Sequence, residues 1–226
     1  MAKIEVKVCG VKTKEVLEAA AKGGAAYVGF NFYRPSPRYV PSGQAAALSK
    51  RLPPGMKSAV VTVDADDALF EEIFRHFSPD LIQLNGKEAP QRAADLKARW
   101  RTPIIRTIPI RTAADFNAVK AHESVADYFL FDAPPPKGAI LPGGNAVSFD
   151  WTLLQGRSFA KPWFLAGGLN AKNLREAIML SGATRVDFSS GVERTPGEKD
   201  PTMIEELLRE LRPSRPAVLP ELRASR

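Results

Sequence analysis

The stretch Ile4-Glu5-Val6-Lys7-Val8-Cys9-Gly10 alternates apolar and polar side chains and then stops on a glycine. That is the period-2 signature of a strand. Val6 and Val8 fall on one face, Lys7 and Cys9 on the other. Cys9 is the only cysteine of the chain and stands at the strand's C-terminal end. A face carrying a lysine and a thiol suits the inside of a barrel, with the thiol at its mouth. Cysteine before glycine is unspecific by itself, so the other strand ends decide the matter.

Strand-like and helix-like stretches alternate eight times along the 226 residues. Strands are expected over 4–9, 27–31, 58–63, 81–84, 103–108, 128–132, 163–166 and 185–188. Helices are expected near 14–22, 42–51, 67–76, 89–99, 113–122, 172–180 and 202–211, with a short one after Phe149-Asp150-Trp151. Gly23-Gly24 closes the first helix as C-terminal glycines do, and Ser42 reads as the N-cap of the second. Leu69, Ile73 and Phe77 share one face of the third. Eight such units with right-handed connections close into a ring, which gives a single (β/α)8 TIM barrel over 1–211. An open doubly wound sheet is the alternative, but no G-x-G-x-x-G follows the first strand. Pro213, Pro216 and Pro220 make 212–226 read as a loose tail.

Composition narrows the function. No apolar run approaches the roughly 20 residues of a membrane span, and the opening residues carry no apolar targeting segment. A lone cysteine forms no internal disulfide, which points to a reducing, cytoplasmic setting. The net charge of +7 owes part of its excess to four arginines against one glutamate in 212–226. No basic run is interleaved with aromatics, so no nucleic-acid partner is expected. A mild positive excess suits an anionic small substrate. Both a monomer and a homodimer are compatible with the sequence.

In this fold chemistry sits at the C-terminal strand ends. Those ends present Cys9, then Arg34 and Arg38, Gln83 and Asn85, Arg106, Asp132, Gly167-Gly168 and Ser189-Ser190-Gly191. Glycine turns after the seventh and eighth strands form the usual phosphate site of these barrels, because backbone N–H groups face the opening. Either turn alone would be only a strand–helix connection. Asp132 ends the apolar run Tyr128-Phe129-Leu130-Phe131, where lost hydration raises a carboxyl pKa and makes a general acid. By default such an aspartate caps its loop. By default, too, a free cysteine is a small buried hydrophobe, and a cationic neighbour is needed to make its thiolate. Lys7, one layer below Cys9, needs a partner; Asp187 on the last strand supplies one when the barrel closes. His76 and His122 fall at helix ends and read as solvated surface, so neither a Cys–His pair nor a metal site is expected.

Taken together these residues resemble the phosphoribosylanthranilate isomerase family of tryptophan biosynthesis. The resemblance runs to about Leu211 and rests on Lys7-Val8-Cys9-Gly10, Gly29-Phe30-Asn31-Phe32-Tyr33, Ser36-Pro37-Arg38-Tyr39 and Gln83-Leu84-Asn85-Gly86. Asp132, Gly143-Gly144, Phe149-Asp150-Trp151, Ala166-Gly167-Gly168-Leu169 and Asp187-Phe188-Ser189-Ser190-Gly191-Val192-Glu193 complete it. The resemblance implies an Amadori rearrangement of N-(5-phosphoribosyl)anthranilate, by general acid–base catalysis without cofactor or metal. It implies Asp132 as acid and Cys9 as base. Gly167, Gly168, Ser190 and Gly191 would hold the phosphate, Arg38 the anthranilate carboxylate, with Gln83, Gly143 and Gly144 also at the substrate and Lys7 and Asp187 as support.

Three positions depart from the family pattern. Asn85 stands where histidine is usual and cannot titrate. Asn145-Ala146 follows Gly143-Gly144 where Ser/Thr-Gly is usual; a positive φ at Ala146 would cost energy. Asn31 replaces a commonly apolar residue and would add a polar contact near the substrate. Other readings are another sugar-phosphate isomerase or epimerase on the same barrel, and a sugar-phosphate-binding module without activity. Metal-using epimerases want strand-end histidines; an aminoaldose isomerase wants aspartates where Cys9 and Thr107 stand.

Overall fold

The structure is a computed structural model describing residues 4–136, 138–139, 141 and 143–211. The expected tail, 212–226, lies outside the described residues.

Eight strands close into a parallel barrel in sequence order: β1 (Glu5–Cys9), β2 (Tyr27–Asn31), β3 (Lys57–Thr62), β4 (Leu81–Leu84), β5 (Ile104–Pro109), β6 (Tyr128–Asp132), β7 (Trp163–Leu165) and β8 (Arg185–Phe188). Around them run α1 (Lys14–Gly23), α2 (Ser42–Ser49), α3 (Asp67–His76), α4 (Pro90–Trp100), α5 (Asn117–His122), α6 (Leu174–Ser181) and α7 (Pro201–Glu210). No helix among the described residues is long and apolar enough to cross a membrane.

Local chemistry explains several boundaries. Thr13 caps α1 by accepting from the Val16 N–H at 3.3 Å, and Gly24 closes it in the left-handed region. Pro41, not Ser42, is the N-cap of α2; the Ser42 hydroxyl instead donates to Glu72 of α3 at 2.6 Å. The fifth helix divides into a 3-10 turn, Ala113–Phe116, and α5, because Thr112 and Asp115 form a capping box on the tight turn. The segment after Asp150 is likewise one 3-10 turn, Trp151–Leu154, capped by the Asp150 carboxylate.

One element lies beyond the eight units. After β8 a 3-10 turn, Ser190–Val192, leads into an antiparallel hairpin of β9 (Glu193–Thr195) and β10 (Glu198–Lys199).

The strands alternate in and out of the barrel. Tyr27, Ala59, Leu81, Ile105, Leu130, Phe164 and Ala166 form an apolar plug inside. Val6, Val8, Val28, Phe30, Val60, Ile82, Ile104, Phe129, Phe131 and Val186 face outward into the larger core against the helices. Above the plug the interior turns polar, and the register puts Lys7 beside Asp187 and Cys9 beside Gly29.

Candidate active site

Cys9 and Asp132 line one cavity at the C-terminal mouth. Asn31, Ser36, Arg38, Gln83, Asn85, Gly143, Gly144 and Asp187 share its wall. A second cavity adjoins it through Asp132, Gly144, Asp187 and Ser189, and is walled by Gly167, Gly168 and Ser190.

Below the thiol, Lys7 is wholly buried and its Nζ donates to Asp187 Oδ1 at 3.0 Å. Burial alone would lower the lysine's pKa; the Asp187 carboxylate and the Cys9 side chain outweigh it, so the ammonium is held. A side chain at Gly29 would meet Cys9 Sγ at 2.9 Å and Lys7 Nζ at 3.2 Å, so the glycine leaves room for thiol and ammonium together. Burial pushes the Cys9 thiol up, with Lys7 and Lys199 pulling it back down in part and Asp187 adding to the rise.

Across the cavity the Asp132 carboxyl is pushed up to about 7, chiefly by burial and secondly by the Asp187 carboxylate. The Ala133 N–H, donated to Asp132 Oδ1 at 2.8 Å, works in the other direction. Such a group is half protonated near neutrality and able to give a proton.

Gln83 projects inward from β4. Its Nε2 donates to Asn85 Oδ1 at 2.8 Å and to Thr107 Oγ1 at 3.4 Å, and its Oε1 has no hydrogen-bond partner among the described residues. Asn85, which stands where the family pattern has histidine, is thus the acceptor that orients Gln83.

The β7 turn takes positive φ at Gly167 (89°) and Gly168 (61°). Asn170 and Asn173 pin it by donating to the Gly168 carbonyl at 3.1 and 3.0 Å. Gly191 does not line the cavity; a side chain there would strike the Leu169 carbonyl, so its smallness lets the β7 and β8 turns touch.

Arg38 is buried rather than solvated. Its Nε and Nη2 each donate to Glu193 at 2.8 Å, and Nη2 also reaches the Gly144 carbonyl at 3.1 Å. Lys199 Nζ donates to the same Glu193 at 2.9 Å and to the Ser189 carbonyl at 3.0 Å. Sequence reasoning missed Lys199 altogether, and took Glu193 only as part of a motif. Both lie on the short hairpin, which no periodicity announces; a glutamate and a lysine on a polar strand read as solvent-facing.

Other expectations need correction. Arg106 points away from the mouth to Glu88 (2.7 Å) and the Leu84 and Gly86 carbonyls, because Ile105 and Thr107 hold the inward positions. Arg34 is exposed above the Tyr39 ring and outside both cavities. Asn31, in the cavity wall, also orders its own loop, accepting from Tyr33 N–H at 2.8 Å and donating to Ser36 Oγ at 3.4 Å. His122 is buried, its ring nitrogens 3.1 and 3.3 Å from the Ala118 and Glu88 carbonyls. His76 is exposed.

Residues 6–210 match the family model described as N-(5'-phosphoribosyl)anthranilate (PRA) isomerase. The chain belongs to that family. It is 45% identical over 212 residues to the N-(5'-phosphoribosyl)anthranilate isomerase of Mesorhizobium japonicum, spanning 94% of this chain and 97% of that one. The phosphoribosyl anthranilate isomerase crystal structure from Thermotoga maritima superposes with a TM-score of 0.82 at 29% identity, over 92% of this chain and 98% of that one. A crystal structure of the isomerase in complex with reduced 1-(o-carboxyphenylamino)-1-deoxyribulose 5-phosphate superposes with a TM-score of 0.77 at 27% identity, over 92% and 98%. Both the isomerase fold and the closed ring of eight parallel strands are therefore common to this chain and its relatives.

Proposed function

We propose that this protein converts N-(5-phosphoribosyl)anthranilate to 1-(2-carboxyphenylamino)-1-deoxyribulose 5-phosphate, in tryptophan biosynthesis. The observation that carries the reading is the shared cavity: a thiol and a carboxyl of shifted pKa face one space, continuous with a glycine-lined one.

In this reading Asp132 gives its proton to the furanose ring oxygen. The C1–O bond breaks, and the aniline nitrogen lone pair forms the C1=N iminium. The Cys9 thiolate then removes the C2 proton. Its electron pair forms C1=C2, and the iminium electrons return to nitrogen. The resulting enolamine becomes the ketone when C1 takes a proton and the C2 hydroxyl loses one. One acid and one base suffice, and no cofactor enters.

The other assignments follow from chemistry at hand. The Gly167-Gly168 turn and Ser190, which wall the second cavity, offer N–H and O–H donors for the phosphate. Arg38 suits the planar aryl carboxylate. The unpartnered Gln83 Oε1 is an acceptor for a sugar hydroxyl. The substrate is small and phosphorylated. We place the protein in the cytoplasm, whose reducing conditions keep the catalytic thiol free.

The test follows loss of phosphoribosylanthranilate fluorescence with the wild type and the Cys9→Ala and Asp132→Asn variants. Turnover by the wild type that falls by about 10²–10⁴ in each folded variant supports the roles. No wild-type turnover, with product analogue still bound, would make the protein a binding module instead.

A further inference from the structure

The chemistry proposed above uses Arg38 but leaves unexplained the polar cluster that holds it. Glu193 and Lys199 are buried at the edge of the mouth, with side-chain exposures of 3% and 2%. Burying a charge requires full pairing. Glu193 takes both Arg38 Nε and Nη2 at 2.8 Å, Lys199 Nζ at 2.9 Å and the Gly197 N–H at 3.1 Å.

The cluster has a rigid mount. Glu193 and Lys199 are register partners across the β9–β10 hairpin. At the hairpin tip, a side chain on Gly197 would collide with Pro37, so the turn packs directly on the residue before Arg38. Arg38's own N–H is tied to Ser36 Oγ at 3.2 Å. Backbone and guanidinium are therefore fixed separately, one by the β2 loop and one by the hairpin. The fork that Glu193 occupies uses Nε and Nη2, and leaves Nη1 as the edge not engaged by it. That edge passes against Gly144, where a side chain would strike it. Gly144 lines both cavities.

We infer that Glu193, backed by Lys199, is a positioning residue that orients the Arg38 guanidinium toward the substrate's aryl carboxylate, and so sets the preference for a carboxylated aryl amine. The inference rests on Arg38 meeting that carboxylate. It assigns Glu193 no contact with substrate. Two cations hold its carboxylate down at about 2 against the effect of burial, so the fork stays charged across the working pH range.

The experiment compares two substrates: N-(5-phosphoribosyl)anthranilate and N-(5-phosphoribosyl)aniline, which lacks the carboxylate. Steady-state constants are measured for the wild type, Glu193→Gln and Glu193→Asp. The amide keeps the shape but turns an N–H₂ toward a cation; the aspartate keeps the charge but withdraws the fork. With Glu193→Gln we expect KM for the carboxylated substrate to rise about tenfold or more, with kcat within about threefold. For the aniline compound, kcat/KM should stay within about threefold of wild type, so discrimination collapses. Glu193→Asp should fall between, and it carries the test if the glutamine variant does not fold.

Equal losses on both substrates would make the hairpin a scaffold and overturn the inference, as would unchanged discrimination in both variants. A wild type that does not discriminate would remove the Arg38 assignment on which the inference stands. A wild type that turns over neither substrate would remove the enzymatic reading itself.

Discussion

Glu193 and Asp132 are two carboxylates at one barrel mouth, and their surroundings separate them by about five pKa units. Glu193, on the hairpin side, sits between Arg38 and Lys199 and is held down at about 2. Asp132, at the end of β6, accepts one backbone N–H, makes no ion pair among the described residues, and is pushed up to about 7. Desolvation raises both; counter-charge decides which one keeps its proton. The β1–β8–hairpin side is dense in paired ions: Lys7 with Asp187, Arg38 and Lys199 with Glu193. The β4–β6 side is built from neutral amides and hydroxyls, Gln83, Asn85 and Thr107. One side is organised to hold charge in place, the other to hold a transferable proton.

The largest effect expected from breaking this contrast is catalytic. Asp132→Asn keeps the shape and removes the proton meant for the ring oxygen, and Cys9→Ala removes the base proposed for the C2 proton. Each should cost about 10²–10⁴ in kcat/KM, read by the fluorescence assay. A loss under about tenfold in either would refute that residue's role.

Next comes the ion pair below the thiol. Lys7→Met leaves Asp187 buried without its partner and close enough to Asp132 to raise its pKa. Breaking a buried pair from one side costs about 3–5 kcal/mol, to be read by urea unfolding. Adding Asp187→Leu should recover much of that loss, because the stranded charge is gone. Equal destabilisation in the single and double variants would show that the lysine acts by packing alone.

The same contrast predicts two pH dependences. In the proposed mechanism the active form has Asp132 protonated and Cys9 ionised. It carries the same number of protons as the commoner form with Asp132 ionised and Cys9 a thiol. Hence kcat/KM should rise through about pH 7 as the doubly protonated enzyme disappears, and stay level until the raised thiol titrates. With Asp132→Asn the residual rate should keep climbing past pH 7. Stability moves the other way. A raised carboxyl binds its proton more tightly when folded, so its contribution is full below the unfolded pKa of about 4 and is lost as pH rises through about 7. Asp132→Asn should therefore be about 1–3 kcal/mol more stable than wild type at pH 8 and show no gain at pH 4. A flat difference between those pH values would put the folded pKa near its ordinary value.

How much of this contrast the sequence carries differs between the two sides. The barrel is legible because most strands are short, largely apolar stretches closed by glycine, asparagine or aspartate, the fifth and eighth excepted. Lys7 and Cys9 on one face of β1, and Asp187 across the seam, follow from period-2 alternation and ring closure. The Arg38–Glu193 fork does not. Its partners are 155 residues apart, and only the backbone path of the hairpin brings them together. Arg106 misleads for a related reason. Ile104, Ile105 and Ile108 surround it, so β5 is apolar on both faces and its phase cannot be read. His122 misleads because a helix end ordinarily faces water, whereas here the Glu88 carbonyl covers it. Asn85 and Asn31 read as changes near a substrate, and both line the cavity; what the sequence does not show is that Asn85 Oδ1 also holds Gln83 and the Asn31 amide the β2 loop.

The smallest expected effect concerns the loop between the two sides. Ala146 has φ 56°, and Gly144, two residues earlier, has φ 72°. The left-handed region is open to glycine and places an alanine's Cβ against its carbonyl, at a cost of about 1 kcal/mol. The loop nevertheless keeps this shape, because it is anchored where it matters: the Gly144 carbonyl accepts from Arg38, and Asn145 Nδ2 donates to the Leu141 carbonyl at 3.1 Å. Ala146→Gly relieves the strain but also widens the unfolded ensemble, and the two terms oppose each other. A net gain of up to about 0.5–1 kcal/mol in urea unfolding means that strain dominates. Since Ala146 lines neither cavity, kcat should change little. A fall in kcat with unchanged stability would instead mean that the strained residue holds Gly143 and Gly144 against Asp132 and Arg38, and that the loop belongs with the charge-holding side of the mouth.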